Sequence, residues 1–115
     1  MENRKYIVGW LTFRPGKRAE FMEIALPYVA ACRREPGCLF FEMSLSPTDS
    51  DVVLAMECFK DAEAHTTHLK TPEFQAFWKV LNRLGVKGTF ENVFAGTVIP
   101  DRATFGGPAP PAVMY

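Results

Sequence analysis

The sequence carries no excess of charge and no long apolar run. Thirteen basic residues balance thirteen acidic ones over 115 residues, a formal net charge of zero. A protein that grips phosphate backbones needs a basic face, so no nucleic-acid partner is expected. No apolar stretch reaches the ~18 residues that cross a bilayer, so no membrane partner is expected either. Cysteine is scarce, with Cys32, Cys38 and Cys58 the three. No C-x-x-C pair occurs among them, which removes the spacing of a structural zinc site. An odd number of thiols, behind an N-terminus (Met1-Glu2-Asn3-Arg4-Lys5) that does not read as a secretory leader, points to reduced cysteines and a cytoplasmic location. There is no G-x-G-x-x-G and no phosphate-binding loop, and Gly85-Val86-Lys87-Gly88 reads as a turn. No internal repeat is evident.

What is present is a large apolar inventory for a chain of one-domain length. Ten Phe, two Trp, three Tyr and five Met occur, and 48% of residues are hydrophobic. Tyr6 to Phe13 is β-branched and aromatic and reads as a strand, ended by Arg14-Pro15-Gly16. A helix is expected from Gly16 to Glu35, with Phe21, Ile24, Ala25, Tyr28 and Cys32 as its buried stripe. Pro27 falls on the opposite face, where water can satisfy the carbonyl it leaves unpaired, so a bend rather than a break is expected. Pro36-Gly37 stops the helix. Cys38 to Leu45 and Val52 to Phe59 read as a hairpin around the turn cluster Ser46 to Asp51. Asp61 can cap a helix carrying His65, His68 and Leu69. Thr71-Pro72 restarts a helix whose Phe74, Phe77, Trp78, Leu81 and Leu84 form an apolar face, and Gly85 ends it. Thr89 to Ile99 is the last strand. The order β-α-β-β-α-β is the ferredoxin-like pattern: an α+β fold with a four-stranded antiparallel sheet and its helices on one face. Residues 1–99 form this domain, and the Pro- and Gly-rich residues 100–115 form a C-terminal extension.

Alternation in the hairpin separates two faces. Leu39, Phe41, Met43 and Leu45 group with Val52, Leu54, Met56 and Cys58 as one wholly apolar face. Cys38, Phe40, Glu42 and Ser44 group with Val53, Ala55, Glu57 and Phe59 as the other. Helices can cover only one of them. The uncovered one would exceed the apolar patch a monomer usually exposes, so a homodimer through the sheet face is expected.

Among titratable groups, His68 is the natural general base, since an imidazole titrates near neutrality. A purely structural histidine is the alternative reading. His65 lies one turn away. Glu57 sits in an otherwise apolar strand and needs a partner if buried. It can orient His68, act as a base of raised pKa, or serve structure by pairing with an Arg or Lys or by capping amides; Glu42 is expected on the same face. Phe59, Phe74 and Trp78 are candidate walls of a pocket, and Trp10 and Thr12 share a strand face that could reach it. Two histidines at i, i+3 with Glu57 do not specify a metal site, because spacing sets no third ligand.

Three segments carry a family resemblance over about residues 5–99: Arg14-Pro15-Gly16-Lys17, Glu35-Pro36-Gly37-Cys38, and the stretch Glu57 to Leu69, which follows E-x-aromatic-x-D-x-x-A-x-x-x-H. The chain resembles the antibiotic biosynthesis monooxygenase family, the dimeric α+β barrels that include quinol monooxygenases. That resemblance implies oxidation of an electron-rich phenol or quinol by O2 without metal or flavin, so no cofactor is expected. It implies His68 as the catalytic base or proton relay and Glu57 as its orienting carboxylate. A small aromatic substrate would contact Trp78, Phe74, Phe59, His65, Trp10 and Thr12. Phe59 stands where the family often has Trp, and Glu73 where a second His often follows. The first strand offers Thr12 and no Asn, unlike haem-degrading relatives. A non-catalytic binding or stress-related module, and an isomerase or decarboxylase using the same base, are the other functions this fold allows.

Overall fold

Strand and helix limits follow local chemistry closely. The computed structural model describes residues 3–98. It runs β1 (Arg4–Thr12), α1 (Arg18–Arg33), β2 (Cys38–Leu45), β3 (Val52–Phe59), α2 (Ala62–Leu69), α3 (Pro72–Leu84) and β4 (Lys87–Ala95). The hairpin strands fall where β-branched and aromatic runs place them. β4 begins two residues earlier than expected, at Lys87, and ends at Ala95. The 100–115 extension lies outside the described residues. Asp61 caps α2, its carboxylate accepting from the Ala64 amide at 2.8 Å, and Thr71 caps α3 in the same way through the Phe74 amide. Gly85 closes α3 at φ 67, a left-handed position that glycine takes without a steric cost.

The sheet is antiparallel, in the order β2-β3-β1-β4. This is the ferredoxin-like α+β fold, with the helices on one face. Phe21, Ala25, Tyr28, Val29 and Cys32 of α1 and Phe77, Leu81 and Leu84 of α3 are buried. Apart from Leu84, they form one core with Ile7, Leu11, Phe41 and Val53 of the sheet. α1 continues through Pro27, which is exposed.

The hairpin register differs from the expected grouping of faces. Phe41 pairs with Glu57, Met43 with Ala55, and Leu45 with Val53. Phe41, Met43 and Leu45 of β2 therefore share the helix-facing side with Val53, Ala55, Glu57 and Phe59, not with Leu54, Met56 and Cys58. Alternation holds within each strand; the phase between strands is set by the turn, and a one-residue change exchanges the faces. An irregularity between Cys38 and Phe40 adds a second displacement, placing Cys38 opposite Phe59. Glu42 consequently leaves the face of Glu57 and pairs with Arg33 at 3.0 Å on the edge of β2.

On the outer face, Tyr6, Val8, Trp10 and Thr12 alternate with the inner Ile7, Gly9 and Leu11 along β1. Trp10, Phe40, Leu54, Met56 and Val93 are all exposed there. β4 is exposed from Lys87 to Phe94, so the helical layer stops short of it and leaves one side of the inner face open.

Pro27 gives the fold a testable weak point. A proline inside a helix costs up to about 3 kcal/mol. Pro27→Ala restores the amide without touching the core and should raise stability by about 1–3 kcal/mol, read as a higher urea midpoint at unchanged slope.

Candidate functional site

The site is assembled where the end of α1 meets α2. Beyond α1 the chain turns through residues 34–37. The Glu35 amide donates to the Cys32 carbonyl at 3.1 Å, and the Cys38 amide donates to the Glu35 carbonyl at 3.0 Å. The Lys60 amide then donates to the Gly37 carbonyl at 2.9 Å, tying this turn to the start of α2. Gly37 lies so close to Ala64 that any side chain there would overlap the Ala64 Cβ. This close approach brings the Glu35 carboxylate to His68, 33 residues away in sequence.

His68 is 1% exposed. Its Nδ1 lies 2.9 Å and 3.1 Å from the two Glu35 carboxylate oxygens. A carboxylate only accepts, so Nδ1 carries the proton and donates. In the neutral form of the ring, Nε2 then carries the lone pair, on the other side. There the Tyr28 hydroxyl donates to Nε2 at 3.4 Å, and a Glu57 carboxylate oxygen stands 3.9 Å away. The Thr71 hydroxyl donates to the His68 carbonyl at 2.8 Å, fixing the backbone that carries the ring. Phe59, Phe74 and Phe41 surround it at centroid distances of 5.1, 5.3 and 5.7 Å.

Nε2 faces a cavity of about 120 Å3 between the inner sheet face and the helices. Its polar groups are Tyr28, Glu57, His65, His68 and Asn92; the rest of its wall is apolar, with Phe74, Phe77 and Trp78 from α3 and Ile7, Leu11, Met43 and Phe90 from the sheet. An apolar cavity of ~150 Å3 takes up benzene, so this one is of single-ring size. Gly9 makes room for one wall: a Cβ at that position would stand 2.5 Å from the Phe90 ring. Trp78 is half exposed and stands at the mouth.

Burial sets the protonation of the wall. The Glu57 carboxyl is pushed up to about 7, mainly by loss of water and secondarily by the charge of Glu35. His65 is pushed down to about 4 by burial, by Lys5 and by His68, so it is neutral at pH 7. Burial raises the Tyr28 hydroxyl well above its usual range, so it stays a donor. The Cys32 thiol is pushed up to about 12 by burial.

The sequence profile of the antibiotic biosynthesis monooxygenase family matches residues 6–80. The chain belongs to this family. Its fold is shared with a protein from Deinococcus radiodurans named for the same family, at a TM-score of 0.80 and 23% identity, covering 86% of this chain and 99% of that one. It is also shared with a variant of SnoaB, a cofactor-independent oxygenase from Streptomyces nogalater, at a TM-score of 0.74 and 20% identity, covering 85% and 98%. A curated Synechocystis relative, the uncharacterized protein sll1783, is 27% identical over 71 residues. This is 62% of the chain and 48% of that protein, so the chain spans about half the length of the curated relative it matches.

The antibiotic biosynthesis monooxygenase segment from Glu57 to Leu69 thus supplies one side of the cavity. Glu57, His65, His68, Phe74 and Trp78 line it together. Phe59 does not; fully buried, it supports His65 and His68 from behind, each at a centroid distance of 5.1 Å. Trp10 and Thr12 are not brought to the cavity. They are one residue out of phase with Ile7 and Leu11 and face the opposite side of the sheet. The carboxylate on Nδ1 is Glu35 rather than Glu57, which stands on the Nε2 side beyond hydrogen-bonding distance. Tyr28 and Glu35 are the residues that sequence reasoning passed over. Tyr28 sits in an apolar stripe, and Glu35 in a turn motif whose family pattern is its one signal.

The raised Glu57 carboxyl has a thermodynamic consequence. Between its ordinary 4.5 and about 7 the folded chain holds a proton that the unfolded chain has released. This contribution is fully present at low pH and is lost as pH rises through that window. Glu57→Gln keeps the shape and removes the ionisation. It should exceed wild-type stability by on the order of 1–3 kcal/mol near pH 8, with the gain gone near pH 4.5. Urea unfolding at the two pH values checks this.

Proposed function

We propose that the chain is a cofactor-independent monooxygenase acting on a small, electron-rich phenol or quinol. The observation that carries this reading is the Glu35–His68 bond at Nδ1, which leaves Nε2 as a proton acceptor in a mostly apolar cavity of single-ring size. His68 removes the phenolic proton. The phenolate, held against the apolar walls Phe74, Phe77 and Trp78, is a far stronger electron donor than the phenol. It reduces O2 directly: the substrate supplies all four electrons, one oxygen atom becomes a ring carbonyl and the other leaves as water. Glu57, poised near neutrality beside Nε2, can take up or return a proton during this sequence. Tyr28 donates to the base or to the bound oxygen. The likeness to SnoaB supports this reading.

A second copy of the chain belongs to the same reading. Trp10, Phe40, Leu54, Met56 and Val93 form an exposed apolar face on the sheet, and a self-complementary, sheet-to-sheet dimer would cover it. Three cysteines without a disulfide fit a reducing, cytoplasmic setting.

Oxygen uptake with a panel of quinols and naphthols tests the activity. Uptake above buffer is expected with at least one of them. His68→Ala should lower its rate by about 10²–10⁴. Glu35→Gln should lower it on the order of 10²–10⁴ as well, because an amide permits the wrong tautomer. Tight ligand binding with no uptake would favour a binding module, and product formed without O2 an isomerase or decarboxylase. Sedimentation at micromolar concentration should give a two-chain species, and Leu54→Lys on the outer face should shift it toward one chain.

A further inference from the structure

One buried group next to the base has no part in the proposed reaction. Cys32 lies on α1, three residues before Glu35, fully buried. Its sulfur, a carboxylate oxygen of Glu35 and a ring nitrogen of His68 all lie within 4.8 Å of one another. Sulfur, imidazole nitrogen and carboxylate oxygen are the donors that zinc-class cations select, whereas Mg2+ and Ca2+ prefer oxygen alone. Around a tetrahedral ion at metal–ligand distances of about 2.0–2.3 Å, such donors stand about 3.3–3.6 Å apart. The Nδ1–Oε2 pair, now at 2.9 Å, has to open by a few tenths of an ångström. The sulfur has to close by at most about 1.3 Å, within the reach of side-chain motion.

Two further features suit a cation. A surface depression of about 370 Å3 opens on the Glu35 side, lined by Glu35, Asp61 and Glu63 with one lysine, Lys60. It offers an entry path of mostly negative charge and a place for a water ligand. On the far side, Nε2 faces the Tyr28 oxygen at 3.4 Å and the Glu57 carboxylate at 3.9 Å. A metal-bound histidine donates its second ring N–H to a group of this kind.

We propose that Cys32, Glu35 and His68 form a binding site for a zinc-class divalent cation, and that the cation switches the base off. The thiol proton leaves to solvent as the thiolate binds. The imidazole proton moves from Nδ1 to Nε2, so Nε2 becomes a donor and can no longer take a proton from a substrate. No oxidation is involved. The inhibition rests on His68 being the base; the binding does not.

Titration of the purified protein with Co2+ tests the binding on its own. A thiolate-to-cobalt charge-transfer absorption should rise, saturate at one ion per chain and be displaced by Zn2+. It should vanish in Cys32→Ser, survive in Cys38→Ser, and require at least tenfold more Co2+ in Glu35→Gln, whose altered residue lies on a turn outside the core. Absence of the band at saturating Co2+ overturns the site, and so does a band that survives in Cys32→Ser or is lost in Cys38→Ser. In the oxygen assay, Zn2+ should abolish wild-type uptake with a midpoint at the Zn2+ dissociation constant obtained from the Co2+ competition. Full uptake at saturating Zn2+ overturns the switch. No uptake under any condition refutes the proposed reaction and the switch with it, and the cobalt titration alone then decides the site.

Discussion

A carboxylate at the end of one helix holds a buried imidazole on another, and much of the surrounding structure keeps that pair in place. The turn bearing Glu35 is bonded to the residue before Asp61, and Asp61 caps α2. Gly37 allows the close approach, and Thr71 holds the His68 carbonyl from the other side. A change in any of these parts moves one partner relative to the other. Because a carboxylate can only accept, the pair also decides which ring nitrogen carries the proton, and so what the cavity meets.

The sheet contributes the opposite kind of constraint. Glu57 stands in the middle of its inner face, between Ile7 and Phe41, where water is excluded and a carboxylate ionises reluctantly. An apolar residue would serve the fold better there. Its presence costs stability at neutral pH and yields a group whose proton is exchangeable near pH 7, an arrangement that makes sense at a reaction site. The aromatic surplus divides similarly. Phe21, Phe41 and Phe59 fill the core, Phe74 and Phe90 wall the cavity, and Trp10 and Phe40 lie on the outer face.

The elements themselves are legible in the residues. Asp61, Thr71-Pro72 and Gly85 mark helix ends through local hydrogen bonding and backbone preference, and β-branched runs mark the strands. Alternation also identifies Glu57 as a carboxylate in an apolar strand. Relations between elements are less legible. The phase between β2 and β3 depends on how the six-residue turn closes, so alternation alone groups the hairpin faces wrongly, and it turns Trp10 and Thr12 toward a cavity they do not reach. Glu35 is visible as part of a turn motif, but its meeting with His68 depends on the approach of Gly37 to Ala64, which no local pattern encodes. Tyr28 occupies a helical core position, and nothing in its spacing reveals that its hydroxyl meets Nε2.

The chemistry of the cavity depends on the tautomer of His68, which nitrogen-15 NMR reads directly. Long-range correlations between ring nitrogens and ring carbon-bound protons, recorded at neutral pH on the selectively labelled protein, distinguish a protonated from a lone-pair nitrogen. The Glu35–His68 pair predicts a proton on Nδ1 and a lone pair on Nε2, with that preference lost in Glu35→Gln. A proton on Nε2 in the wild-type protein, or a ring whose signals ignore the Glu35 substitution, would contradict it.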